Sequence, residues 1–353
     1  MSDENLIAAP EDLILVTGAA GFIGCRVVKR LLAMGFRNIR CLVRPSSRTV
    51  GLRQIAAAEP LAQVDIVTGN LLSTEDCAAA AADACIIYHL AAPSGEKSIP
   101  EAFRNAAVTT RNLLDAVVRE GKVRRFVNVS SFAVYTNRNK SRWRVLDETC
   151  PVEDQPHRRG DAYTFAKVKQ DQIVAEYAQS YRLPSVSVRP GYVFGPGGAA
   201  ISGRVGTPSF GLFLHLGNGN PLPLTYVENC AEALALAGLV PGVDGETFNI
   251  VDDDLISSRR FLGQYKRNVK WFPSICVPHF VSYGLCWAWE SYSRWSRGQL
   301  EPVFNRRVWH AYWKGTNYSN CKAKDLLHWK PRVGMDQALG LHFAACRGDA
   351  HHD

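Results

Sequence analysis

Residues 13–24, LILVTGAAGFIG, constrain the chain most. Leu13 to Val16 read as a short buried strand. Gly18, Gly21 and Gly24 follow, three residues apart, and Val27, Val28, Leu31 and Leu32 continue at helical spacing. Strand, glycine turn and helix together give a glycine fingerprint its meaning. Gly18 suits a tight turn, Gly21 a close approach of pyrophosphate to backbone, and Gly24 close packing of helix on strand. The helix N-terminus offers N–H groups and a partial positive charge to phosphates. Phe22 and Ile23, between the last two glycines, complete this candidate cofactor loop. The spacing is GxxGxxG, and an ordinary glycine-rich strand-to-helix turn is the plain alternative.

The rest of the chain fits a large soluble fold. Its 353 residues are 46% hydrophobic and 21% charged, enough for one big domain with an appended lobe. The formal net charge is +8, but the basic residues are spread, with local clusters at Arg124–Arg125, Arg138–Arg144 and Arg306–Arg307. No helix-turn-helix, zinc-finger or RNP pattern accompanies them, so a nucleic-acid partner is not expected. Ten cysteines form no CxxC pair, and Cys41, Cys85, Cys230, Cys276 and Cys286 stand in apolar surroundings. That usage suits buried thiols in a reducing, cytoplasmic compartment, without disulfides or a metal site. The first residues, MSDENLIAAPEDL, lack a signal-peptide pattern, and no apolar run reaches the roughly 18 residues of a membrane span.

Four further strands follow at regular intervals. Ile39–Val43 ends in Arg44, with Ser46, Ser47 and Arg48 beyond. An acidic residue here would accept from a ribose 2′-OH, whereas arginine suits a 2′-phosphate, which favours NADP(H) over NAD(H). Asp65–Thr68 runs into Gly69-Asn70-Leu71, where Asn70 can meet the adenine edge. Ser73 and Asp76 form a capping box before an alanine-rich helix. CIIYHLAAP is a fourth strand whose small turn, Leu90-Ala91-Ala92, lets a cofactor lie near the backbone. His89 there reads as a strand-end histidine satisfied by backbone. A helix over 101–120 precedes a fifth strand, Phe126–Val129, which ends in Ser130-Ser131. The alternation predicts an α/β fold, a Rossmann-type doubly wound parallel sheet with its site at the carboxyl ends of the strands.

Tyr163 and Lys167 lie one helical turn apart and share a face. A free tyrosine, with a pKa near 10, is a poor base at neutral pH. A neighbouring ammonium stabilises the phenolate and lowers that value. A serine at the strand end can hold a substrate oxygen while tyrosine exchanges a proton with it. A sixth strand ends at Arg189-Pro190, and residues 195–223, rich in Gly, Pro, Asn and Ser with an apolar patch from Phe210 to Leu216, read as facing substrate.

These motifs together resemble the extended short-chain dehydrogenase/reductase family, the NAD(P)-dependent epimerase/dehydratase group. The carrying residues are TGAAGFIG (17–24), GNL (69–71), HLAA (89–92), VSSFAVY (129–135), YTFAK (163–167) and RPGYVFGPG (189–197). The resemblance implies Ser131, Tyr163 and Lys167 as catalytic residues. It implies cofactor contacts through Gly18, Gly21, Phe22, Ile23, Gly24, Arg44, Asn70, Leu71, Leu90, Ala91, Ala92, Tyr163, Lys167 and Pro190. It also implies a dinucleotide-binding domain over 10–193 with segments from 224–252, and a smaller substrate lobe from 194–223 and 253–345. Two positions depart from the family pattern. Ala106 stands where an asparagine is usual, with Asn105 adjacent, and Val227-Glu228-Asn229 replaces Val-Asp-Asp. Asn229 and Arg44 are closer to the hydroxysteroid-dehydrogenase-like and dihydroflavonol-reductase-like branches.

Residues 271–313 hold six of the eight tryptophans, five of them between Trp271 and Trp309, with Arg294, Arg297, Arg306 and Arg307 among them. They read as a helix on a membrane surface or a lid over a greasy substrate, and equally as a segment packed on its own lobe or a dimer contact. The expected function is hydride transfer between a nicotinamide and a secondary alcohol or carbonyl of a hydrophobic or lipid-linked small molecule. A nucleotide-sugar epimerase or dehydratase with a transient hydride store, and a non-catalytic cofactor-binding scaffold, are the alternatives. A homodimer and peripheral membrane contact are further expectations of the resemblance.

Overall fold

The computed structural model describes residues 6–92, 98–138, 141–209, 211–296 and 304–349. Phe210, Arg297, Asn139 and Lys140, each within a stretch singled out above, lie outside the described residues. The first half alternates strand and helix: β1 (Ile14–Thr17), α1 (Gly24–Ala33), β2 (Asn38–Val43), α2 (Val50–Ala58), β3 (Gln63–Thr68), α3 (Thr74–Ala81), β4 (Ile86–His89), α4 (Ile99–Phe103), α5 (Thr109–Glu120) and β5 (Arg125–Val129). After the short β6 (Val145–Leu146) come α6 (Ala162–Tyr181), β7 (Ser185–Pro190) and β8 (Tyr192–Phe194). The chain then forms β9 (Gly206–Ser209), β10 (Leu212–His215), β11 (Leu224–Tyr226), α7 (Val227–Leu239) and β12 (Thr247–Ile250). It continues through α8 (Ser258–Asn268), β13 (Ser274–Cys276), α9 (His279–Trp295), α10 (Arg306–Tyr312), β14 (Asn317–Tyr318), α11 (Cys321–Leu327) and α12 (Met335–Asp349).

Seven strands make one parallel sheet in the order β3-β2-β1-β4-β5-β7-β12. Strands buried on both faces read as continuous apolar runs, which is the pattern of Ile14–Val16 and Ile86–Tyr88. The winding direction reverses between β1 and β4, so a crevice opens at their carboxyl ends. Helix α7 covers one sheet face with small buried residues, Ala231, Ala233, Ala235 and Ala237. Beside it Tyr88 reaches through the core to the Ala235 carbonyl at 2.9 Å. A three-stranded sheet, β13-β10-β9, belongs to the later part of the chain.

Several local expectations change. The helix expected over 101–120 is interrupted by a π-turn at Arg104–Val108. The Thr109 hydroxyl satisfies the displaced backbone, donating to the carbonyls of Asn105 (2.9 Å) and Ala106 (3.1 Å). Ala102, Ala106 and Ala166 pack together there, so the alanine in place of asparagine lets α4 and the π-turn approach α6 closely. His89 is satisfied by two side chains rather than by backbone, Thr17 Oγ1 and Thr110 Oγ1, both at 2.9 Å. Full burial, then the charge of Lys167, pushes it down to about 3, so it stays neutral at ordinary pH. Cys276 is exposed, not buried, and Cys85 is half-buried. Ser73 caps α3 by accepting from the Asp76 N–H at 3.0 Å, while the Asp76 carboxylate turns to the Asn70 N–H at 2.7 Å.

The glycine loop is among the tightest points of the fold. A methyl group on Gly24 would collide with the Gly18 carbonyl oxygen and stand 2.8 Å from Ala19 Cα, both backbone atoms. Gly24→Ala is expected to destabilise the chain by about 2 kcal/mol, in the range of overpacked sites. Urea unfolding with an unchanged midpoint would show that the loop can give.

Candidate active site

The crevice at the switch point is a cavity of about 960 Å³ that runs from Arg44 past the glycine loop to Tyr163, Arg204 and Tyr312. Every candidate residue read from the sequence lines it, from Gly18 through Ser131 and Tyr163 to Pro190. Gly18 adopts φ +70°, and a Cβ there would sit 2.9 Å from the Ala91 nitrogen, so the loop and the Leu90-Ala91-Ala92 turn need a glycine to meet. Gly21 donates its N–H to the Gly18 carbonyl at 2.9 Å, which closes the turn. Helix α1 begins with no side-chain cap and no acid in its first turn, leaving its positive end for an anion. Phe22 is held by the Arg26 guanidinium stacked 5.4 Å from its ring.

Arg44 is exposed at the end of β2, where its backbone N–H donates to Ser47 Oγ at 3.1 Å. Asn70 Oδ1 accepts the Leu72 N–H at 3.0 Å and so holds its own turn, leaving the side-chain Nδ2 as the donor for a ligand. These residues fit a dinucleotide. The glycine cradle and α1 would hold its pyrophosphate, and Arg44 with Ser46 and Ser47 would meet the adenosine end.

At the opposite end, Asp161 caps α6 by accepting the Tyr163 N–H at 3.1 Å and the Thr164 hydroxyl at 2.6 Å. This places Tyr163 in the first helical turn, facing the cavity. Its ring is 39% exposed but walled in by protein. Burial pushes its hydroxyl up to about 12, and a hydrogen bond with the Ser131 side chain opposes that rise only in part. The lysine effect expected from spacing is therefore not what dominates here. Lys167 is buried and its ammonium donates to the Val129 carbonyl (2.6 Å) and Gln170 Oε1 (3.0 Å). Burial lowers it to about 8, against the pull of Asp171. Ser131 Oγ accepts the Ala133 N–H at 3.1 Å, so its own proton is free to donate. Ser130 turns away and donates to Asp171 at 2.8 Å.

Among the cavity residues, sequence reasoning gave no site role to Asn105, Thr109, Arg204 or Tyr312. Asn105 and Thr109 arrive through the π-turn, which no periodicity signals. Arg204 and Tyr312, more than a hundred residues apart, meet over the substrate end, with the guanidinium 4.9 Å from the ring. Arg204 stands in a stretch without a motif around it, and nothing in 271–313 marks Tyr312 as its partner.

The profile of the NAD dependent epimerase/dehydratase family matches residues 14–250. The chain belongs to that family. It is an NAD(P)-dependent oxidoreductase of the extended short-chain dehydrogenase/reductase group. Cinnamoyl-CoA reductase 1 of Oryza sativa subsp. japonica is 32% identical over 190 residues, 53% of this chain and 54% of that protein. The decarboxylating sterol-4-alpha-carboxylate 3-dehydrogenase of Bos taurus is 26% identical over 345 residues, 92% of this chain and 89% of that one. The UDP-glucuronic acid 4-epimerase of Bacillus cereus, solved with NAD, superposes with a TM-score of 0.68 at 20% identity, covering 95% of this chain and 99% of that one.

A protonated tyrosine beside a lysine that titrates near 8 suits proton donation to a carbonyl oxygen. Lys167 is charged below its pKa and neutral above it. kcat/KM for carbonyl reduction is therefore expected to be level at lower pH and to fall above pH about 8. Lys167→Arg, whose charge persists, moves that limb upward. A profile that stays level well above this point in the unsubstituted chain would remove Lys167 from the chemistry.

Proposed function

We propose that this chain reduces a carbonyl, or oxidises a secondary alcohol, on a hydrophobic or lipid-linked small molecule, with NADP(H) favoured over NAD(H). The observation that carries the reading is the meeting of Tyr163, Ser131 and Lys167 on the wall of one cavity that continues to the glycine loop. The nicotinamide, when bound, supplies or accepts the hydride. Tyr163 gives its proton to the substrate oxygen, and Ser131 donates a hydrogen bond to the same atom. The Lys167 ammonium stabilises the phenolate left behind. Phe132, Tyr192, Val193 and Tyr312 on the walls favour an apolar substrate body.

Residues 10–193 with 224–252 hold the cofactor in this reading, and 194–223 with 253–345 hold the substrate. The enzyme works in the cytoplasm, where ten thiols outside any disulfide are at home, and touches a membrane through 271–313. Arg204 in the cavity favours a second reading, a nucleotide-sugar epimerase or dehydratase, because a guanidinium suits a substrate phosphate. Cofactor that copurifies and is released on denaturation, without net NADPH consumption, would select that reading.

Tyr163→Phe is expected to lower kcat by roughly 10²–10⁴ with cofactor affinity nearly unchanged. Retained turnover in that variant would sink the proton-transfer role. Arg44→Asp is expected to weaken NADPH by about tenfold or more while sparing NADH, the loss of a charge-assisted hydrogen bond. Titration by fluorescence decides this, and an unchanged ratio of the two affinities would remove the argument for NADP(H).

A further inference from the structure

Helix α9 inverts the usual amphipathic pattern. Ser282, Cys286 and Ser293 face the protein, while Phe280 (79% exposed), Leu285, Trp287, Tyr292 and Trp295 (79%) face outward. At 3.6 residues per turn, the positions from Trp287 round to Trp289 cover an arc of about 200° with no charged residue. Trp271 and Ile275, shortly before α9 in the chain, are exposed as well, as are the basic Arg267 and Lys270. No helix among the described residues is long and apolar enough to cross a membrane. An aromatic face of this kind with basic flanks suits a helix lying in the interface.

The inner flank of α9 borders a second cavity, about 840 Å³, whose lining includes Arg138, Arg158, Arg294, Arg306, Arg307 and His310 with one carboxylate, Glu290. Some of this charge is met. Glu290 pairs with Arg306 at 2.9 Å and reaches Arg294 only at 3.9 Å. Arg307 pairs with Glu153, and with Asp154 at 3.4 Å. The Arg138 and Arg158 side chains are exposed and have no hydrogen bond or ion pair with another described residue. The excess is felt by His310, which burial first, then Lys314, Arg138 and Arg306, push down to about 4. Its buried Nδ1 has no hydrogen-bond partner.

We propose that this arginine-lined cavity takes the phosphate of an anionic phospholipid head group while the aromatic face of α9 enters the same bilayer. The inference rests on the membrane contact proposed above and names the chemical group that anchors it. Charge complementarity selects the occupant. A second copy docked on this face would bring the same arginines into one interface with no surplus carboxylate to meet them, whereas an anionic bilayer supplies both the apolar depth and the phosphates. Because α10 carries His310 toward this cavity and Tyr312 toward the active-site cavity, the anchored face lies one short helix away from the substrate end.

The test is flotation of the full chain with vesicles of phosphatidylcholine alone and of phosphatidylcholine and phosphatidylglycerol in equal parts. The unsubstituted chain is expected to float with the anionic vesicles. The double variant Arg138→Gln/Arg158→Gln is expected to bind them about 25-fold more weakly, roughly fivefold for each charge near the surface. Its Tm should be unchanged, since both side chains are exposed. No flotation of the unsubstituted chain would overturn the membrane contact itself. Equal flotation of chain and variant would overturn only the head-group site. Glycerol phosphate that binds without vesicles, and is lost in the double variant, would reassign the cavity to a soluble phosphate and overturn the lipid assignment.

Discussion

The buried ammonium of Lys167 is the interaction on which the site depends. Removing a charge from water costs several kcal/mol unless hydrogen bonds and opposite charge replace the solvent. Here the Val129 carbonyl and Gln170 supply the hydrogen bonds, and Asp171 supplies the charge. Asp171 is itself satisfied by Asn128 and Ser130 from β5 and its end, and by Arg189 from β7. The network therefore ties the start of α6 to the ends of two adjacent strands. Tyr163 is one turn from that anchor and its N–H is held by Asp161, so its place on α6 is fixed from both sides. Arg189 in turn lies 4.9 Å from the ring of Tyr135, whose hydroxyl donates to Asn249 on β12. A change at any of these positions would reach Tyr163 through α6 rather than by direct contact.

Much of this was legible in the sequence, for reasons that differ between elements. Strands buried on both faces leave continuous apolar runs, and the glycine fingerprint marks the first turn, so the sheet and its cofactor end could be read directly. The Tyr163–Lys167 spacing could be read because a helix face is periodic. What could not be read depends on tertiary contact. The π-turn at 104–108 needs the hydroxyl of Thr109 and the small-residue contact with Ala166, and neither has a pattern of its own. His89 found two threonines, one from β1 and one from α5, because a parallel sheet sets β1 beside β4. The direction of the Tyr163 shift was also out of reach, since spacing reports proximity to a lysine but not the depth of a cavity.

Asn229 shows how a departure from a family pattern is absorbed. Its Oδ1 accepts the N–H groups of Arg332 (2.9 Å) and Val333 (3.0 Å), while its Nδ2 donates to Asp252 at 3.1 Å. A carboxylate at this position could accept the first two bonds but could not donate the third. It would also stand against Asp252, which burial already pushes up to about 7. The asparagine thus lets one side chain join α7, the end of β12 and the segment before α12 without placing two acids together. That joint is structural, and the branch likeness it suggests needs no contribution from the active site.

The two cavities impose opposite demands on the segment between them. The active-site cavity needs Tyr312 held over Arg204, which requires α10 to be fixed. Asn305 caps α10 by accepting the Val308 N–H at 3.0 Å, and its amide donates to the Arg159 carbonyl at 2.8 Å. Trp309 donates to Ser282 of α9 at 2.9 Å, and Tyr283 stacks edge-on against it with ring centroids 5.0 Å apart. The small and polar residues on the inner face of α9 are therefore contacts that α10 requires. With that side occupied, the large aromatics of α9 have only the outside left to face. An exposed aromatic surface of this size is stable in water only at a cost in hydration, and the proposed bilayer contact would remove that cost without disturbing α10.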